Sequence, residues 1–143
     1  MDWVVLLGAP GSGKGTVAAG LVERHRDLAL IVAGDLLRDA VRRGTAAGRE
    51  AAEIMRHGGL VPDALIGELM GEWMDAHPVE RCLFDGFPRT LGQAAILDAM
   101  ARERNARLRS VVLLEVPEAV ILERVQGRRI CPNCARGYHD QAL

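Results

Sequence analysis

Cysteine is scarce in this sequence: three residues in 143, which do not build a disulfide framework. A surplus of one charge is missing too. Lys plus Arg is 18 and Asp plus Glu is 19, a formal net charge of −1, so the chain has no basic excess with which to hold nucleic-acid phosphates. No apolar run approaches the ~20 residues that cross a bilayer. The first such run, Trp3 to Leu7, follows an acidic residue and is too short for a secretory signal. Low-complexity tracts, Pro/Ser linkers and internal repeats are absent. These absences speak against a disulfide-stapled secreted module, a membrane span and a basic nucleic-acid binder, and they make the cytoplasm the expected compartment. What is present, 49% hydrophobic and 26% charged residues, is the composition of a folded domain with one core.

Four short apolar runs read as strands: Trp3–Leu7, Leu28–Val32, Cys82–Phe84 and Val111–Leu114. They are continuous rather than alternating, the pattern of strands covered on both faces. Helical patterns lie between and after them, over Thr16–Arg26, Asp35–Arg43, Glu50–Arg56, Pro62–Asp75, Leu91–Arg104 and Pro117–Gln126, with Pro62 and Pro117 where a first helical turn tolerates proline. Strands alternating with helices predict an α/β fold with a parallel sheet flanked by helices. Cys82, beside the third strand, is expected in the core.

The strongest chemical signal is Gly8-Ala9-Pro10-Gly11-Ser12-Gly13-Lys14-Gly15-Thr16, between a strand pattern and a helix pattern. That is the context of a phosphate loop. Its glycines let backbone N–H groups converge on phosphate oxygens, and the following helix points its positive end at the same anion. Lys14 adds a mobile positive charge. Gly15 stands where the strict pattern has Ser or Thr, and the hydroxyl arrives one position later at Thr16.

Two further segments follow the second and third strands: Ala33-Gly34-Asp35-Leu36-Leu37-Arg38 and Phe84-Asp85-Gly86-Phe87-Pro88-Arg89-Thr90. In open α/β sheets ligands bind at the carboxyl ends of strands, so three consecutive strand ends are expected to face one cleft. Arg38 and Arg89 suit a bidentate grip on phosphate. Asp85 suits Mg²⁺, held directly or through water. Asp35 reads either as part of this group or as a helix N-cap.

Taken in order, GAPGSGKGT, AGDLLR, LVPD at 60–63, FDGFPRT and GRR at 127–129 resemble the adenylate kinases, a branch of the nucleoside monophosphate kinases, in their zinc-type long-lid form. The resemblance implies a P-loop nucleotide kinase fold and transfer of the γ-phosphoryl group of ATP to AMP, giving two ADP, with Mg²⁺. It implies that Gly11, Ser12, Gly13, Lys14, Gly15 and Thr16 cradle the ATP phosphates, that Arg124 stacks on the ATP adenine, and that Arg128 reaches the phosphates. Gly137 and Tyr138 match lid positions that touch ATP. On the AMP side it implies Ala33, Arg38, Gly59, Leu60, Val61, Gly86, Phe87, Pro88 and Arg89, with Gln93 on the adenine. Lys14, Arg38, Asp85, Arg89 and Arg128 are the expected catalytic set.

The resemblance also implies two mobile pieces on the 1–143 core: a monophosphate-binding segment over 34–63 and a lid over 128–143, cut short. The family's last strand, a long helix and two further arginines have no counterpart here, so the Val111–Glu115 strand is expected to be an exposed edge. Cys131 and Cys134 form a C-x₂-C pair, half of a tetrahedral zinc set, with His139 and Asp140 as weak substitutes for the rest. Ala33, where adenylate kinases usually carry Thr, resembles the UMP/CMP kinases, whereas Gln93 and the long lid point to AMP. A UMP/CMP-type kinase and a nucleotide-binding module without turnover are therefore the alternatives. The expected state is a monomer, without nucleic-acid or membrane partners.

Overall fold

A computed structural model describes residues 1–131 and 137–139 of the chain. The elements run β1 (Asp2–Gly8), α1 (Lys14–Arg24), β2 (Leu28–Val32), α2 (Ala33–Arg43), α3 (Ala46–Arg56), α4 (Asp63–Ala76), β3 (Arg81–Asp85), α5 (Leu91–Glu103), β4 (Arg107–Leu114), α6 (Glu118–Gln126), β5 (Arg128–Ile130) and β6 (Gly137–His139). Strands β1 to β4 form one parallel sheet in the order β2-β3-β1-β4, and β5 and β6 form a separate antiparallel pair. The expected α/β class is what is observed.

Register decides where the chemistry lies. Leu6 of β1 and Val32 of β2 both stand opposite Asp85 of β3. Three strands therefore end side by side, and the segments that follow them emerge on the same edge of the sheet.

Few aromatic residues are available for the core, and three of them share it. Trp3, Phe84 and Phe87 are fully buried, with the Trp3 and Phe84 rings edge to face at 5.1 Å. Ile31, Met70, Met74, Cys82 and Leu97 belong to the same cluster, between the sheet, α4 and α5. Burial pushes the Cys82 thiol up to about 11, so it is a small apolar side chain and not a nucleophile.

Helices α2 and α3 form a tight corner. Gly44 ends α2 in the left-handed conformation (φ 64°), and Thr45 caps α3 by accepting the Gly48 N–H at 3.0 Å, a contribution of about 1 kcal/mol. Ala40, Ala47 and Ala51 are buried at the crossing with Leu65 and Leu69. Gly48 is buried there too, and a Cβ on it would fall on the Ala40 carbonyl and 2.7 Å from the Val41 nitrogen.

Several expectations need correction. Helix α3 starts at Ala46, not Glu50, because the Thr45 cap and the small buried residues Ala47 and Gly48 extend it backward. Helix α1 starts at Lys14 rather than Thr16. Pro62 and Pro117 stand at the N-cap positions of α4 and α6, just before the first turn. The N-cap of α2 is Val32, so Asp35 sits within the helix and caps nothing. Strand β4 is not covered on both faces: Val111, Val112 and Leu113 are 52%, 42% and 58% exposed. Among the described residues its sheet neighbour is β1 alone, so it is the exposed edge that the resemblance implied.

Candidate active site

The loop between β1 and α1 is shaped by three glycines at positive φ: Gly8 at 151°, Gly11 at 86° and Gly13 at 98°. At Gly11 and Gly13 a side chain would be strained whatever the space around it. Gly13 is the N-cap of α1, and the first turn of that helix has neither a side-chain cap nor an acidic residue. Its first-turn N–H groups thus have no side-chain cap, and the positive end of a helix favours an anion. Lys14, the only lysine in the sequence, folds back over the loop, and its Nζ donates to the Gly8 carbonyl at 2.8 Å and the Ala9 carbonyl at 3.1 Å. The Ser12 hydroxyl is buried without a hydrogen-bond partner among the described residues. Gly15 and Thr16, at the start of α1, are exposed.

Asp85 ends β3 and is buried. Burial raises its carboxyl above the usual range, Lys14 and Arg89 pull it down, and Asp35 pushes it up. Those three charges come from the segments after β1, β3 and β2, so the segments that follow three strand ends all act on one carboxylate. A carboxylate whose folded value lies above its unfolded value of ~3.9 is penalised when charged. Its contribution to stability therefore falls as pH rises through that window. Asp85→Asn removes the penalty, so the Tm difference between variant and parent should favour the variant more at pH 7 than at pH 4. Thermal melts at the two pH values check this; an equal difference at both would remove burial of charge as the cause.

The two phosphate-gripping candidates are both held by short-range contacts. Arg89 folds back so that its Nε donates to the Gly86 carbonyl at 2.8 Å, and a Cβ on Gly86 (φ 79°) would lie 2.8 Å from Arg89 Nη2. Arg38 pairs one turn back with Asp35, its guanidinium lying over Gly34. Both arginines are exposed. Arg124 of α6 rests on the phosphate loop, with Nη1 3.3 Å from the Gly11 carbonyl. That places the residue expected at the ATP adenine beside the expected phosphate site.

Other candidates are placed differently. Phe87 is a core residue, so its side chain is not available to a ligand. Ala33 is buried at the start of α2. Gly59 closes the turn after α3 by donating its N–H to the Ile54 carbonyl at 2.9 Å, Leu60 is 94% exposed, and Val61 packs against the α2–α3 cluster. Pro88 follows a cis peptide bond. Gln93 is buried, and its amide is engaged within the protein: Oε1 accepts the Arg89 N–H at 2.7 Å and Nε2 donates to Asp63 Oδ1 at 2.8 Å. Asp63 was not among the expected site residues, although LVPD contains it. Arg128 lies in β5, and Gly137 and Tyr138 in β6, so the two expected lid contributions are strands of one hairpin. Cys131 is half-buried, while Cys134 and Asp140 lie outside the described residues. Among the described residues no group of three or more His, Cys, Asp or Glu is arranged to hold a metal, and no helix is long and apolar enough to cross a membrane.

Comparison with known proteins agrees with this geometry. The sequence model of the family described as adenylate kinase matches residues 6–142. The chain is 44% identical over 139 residues to an adenylate kinase of Novosphingobium aromaticivorans, covering 96% of this chain and 64% of that protein. It is 41% identical over 141 residues to one from Rhizobium rhizogenes, covering 98% and 65%. It is 44% identical over 136 residues to one from Desulfitobacterium hafniense, covering 94% and 62%. The chain thus spans a little less than two thirds of the length of these curated relatives. With the phosphate loop, the three aligned strand ends and a family match running from β1 to beyond β6, the chain belongs to the adenylate kinase family.

Proposed function

We propose that this chain carries the nucleotide-handling core of an enzyme that transfers the γ-phosphoryl group of ATP to AMP, yielding two ADP. The observation that carries the reading is the register that ends β1, β2 and β3 side by side at Asp85, beside a glycine-shaped loop and a helix N-terminus without a side-chain cap. Names of relatives support the same acceptor.

In this reading an AMP phosphate oxygen attacks the γ-phosphorus, the bond to the β-bridging oxygen breaks, and that oxygen leaves on ADP. Such a transfer needs position and positive charge more than a side-chain nucleophile. Gly11 to Thr16 hold the ATP phosphates through backbone N–H groups. Lys14 exchanges its carbonyl partners for phosphate oxygens, and Arg128, Gly137 and Tyr138 close from the hairpin. Arg38 exchanges the Asp35 carboxylate for the AMP phosphate, and Arg89 grips it from the other side. Gly59 to Val61, and Gly86 to Pro88 through their backbone, line the AMP site. Asp85, buried among cationic neighbours, suits the water shell of Mg²⁺, whose charge offsets that of the phosphates. The 34–63 segment and the lid from 128 exclude water on closing. Cys131 and Cys134 have the spacing of half a zinc set, whose role would be to order the lid and not to enter the chemistry. Action as a cytoplasmic monomer completes the reading.

The test is a coupled assay of ADP formation from ATP and Mg²⁺ with AMP, UMP or CMP as acceptor. Turnover with AMP above the other two is the expected result. Binding of nucleotides without turnover on any acceptor would reduce the chain to a binding module, and preference for a pyrimidine monophosphate would overturn the acceptor.

A further inference from the structure

We infer that Asp63 is a positioning residue for the monophosphate site, acting through Gln93; the inference rests on the AMP-side reading above. Asp63 opens α4, yet the hydrogen bonds its carboxylate accepts come from outside that helix. It turns to the neighbouring helix instead. Oδ2 accepts from Thr90 Oγ1 at 2.6 Å and Oδ1 accepts from Gln93 Nε2 at 2.8 Å. Thr90 is the N-cap of α5, its Oγ1 accepting the Gln93 N–H at 3.0 Å. One carboxylate is thereby set between the N-termini of two helices, where negative charge is favoured. Gly92 leaves it room: a Cβ there would lie 2.7 Å from Asp63 Oδ2.

The consequence concerns the direction of the Gln93 amide. A carboxylate only accepts and a backbone N–H only donates, so Asp63 must face the Nε2 end and Arg89 N–H must face Oε1. Gln93 keeps one N–H and one oxygen lone pair uncommitted, in a fixed orientation. The same bonds tie the end of the 34–63 segment to the loop that carries Arg89, across a separation of 30 residues in the chain. Neither Asp63 nor Thr90 need touch a nucleotide for this to matter.

The experiment is calorimetric titration of the 143-residue chain with AMP and, separately, with ATP. Asp63→Ala should weaken AMP about tenfold, the size of one lost charged hydrogen bond, and leave ATP within about twofold. Asp63→Asn, which still offers Oδ1 to Gln93 and Nδ2 to Thr90, should restore AMP affinity. Gly92→Ala, crowding the same carboxylate from the other side, should reproduce the selective loss. In a Gln93→Ala background the Asp63→Ala loss should largely disappear. An unchanged AMP affinity in Asp63→Ala, equal losses for AMP and ATP, or a full further loss in the Gln93→Ala background would each overturn the inference while leaving the AMP-side reading in place. A parent chain that binds ATP but not AMP would overturn both.

Discussion

Lys14→Met lowers ADP formation from ATP and AMP by about 10³-fold, the scale of removing one preorganised positive donor from a phosphoryl-transfer site. The stem keeps its length and apolar body, so what is lost is the ammonium with its bonds to the Gly8 and Ala9 carbonyls. Those two bonds span only six and five residues, one part-buried and one exposed, so their removal should cost the fold on the order of 1 kcal/mol. A thousandfold in rate corresponds to about 4 kcal/mol in the barrier. Rate and stability should therefore separate clearly. Because no other lysine exists in the chain, no neighbouring ε-amine can take over. Steady-state kinetics with a thermal melt of the same preparation check this; activity within tenfold of the parent, at matched Tm, would refute the loop assignment.

The second large effect is on stability. Gly48→Ala should cost about 2–3 kcal/mol, the range of forcing a group into a packed interface, because its Cβ would meet the backbone of Ala40 and Val41, not a movable side chain. For a domain of this size that is a fall in Tm of roughly 5–10 °C. Gly20→Ala in α1 supplies the control. A Cβ there meets nothing within 4 Å, so the same substitution should stabilise by about 0.5–1 kcal/mol through the unfolded chain. Chemical denaturation of both variants measures the contrast. Stabilisation by both would show that the α2–α3 crossing adjusts freely.

What was legible in the sequence follows from how local each signal is. The phosphate loop and FDGFPRT are short contiguous patterns whose glycines and charges act on their immediate neighbours, so their place after β1 and β3 could be anticipated. The emergence of the three segments on one edge of the sheet followed from parallel-sheet geometry, which the alternation of strands and helices already implied. The start of α3 was missed because Ala46, Ala47 and Gly48 carry no hydrophobic periodicity; the signal that was there is Thr45, a good N-cap. The core position of Phe87 was hidden by its motif, which draws attention to the ligand and away from packing. Strand β4 misled in another way, since its continuous apolar run is the same whether its faces are covered or exposed. The partnership of Gln93 with Asp63 joins two helix starts that only the tertiary fold brings together, and no local pattern announces it.

The Gly48 contact reaches beyond protein energetics to the genetic code. All glycine codons share their first two bases, and a single-base change at either of those yields a stop or a residue that carries a Cβ. Every missense change one step from this codon therefore places an atom on the Ala40 carbonyl. At the corner between α2 and α3 no single-base missense change avoids that contact, whereas at position 20 a Cβ meets nothing within 4 Å.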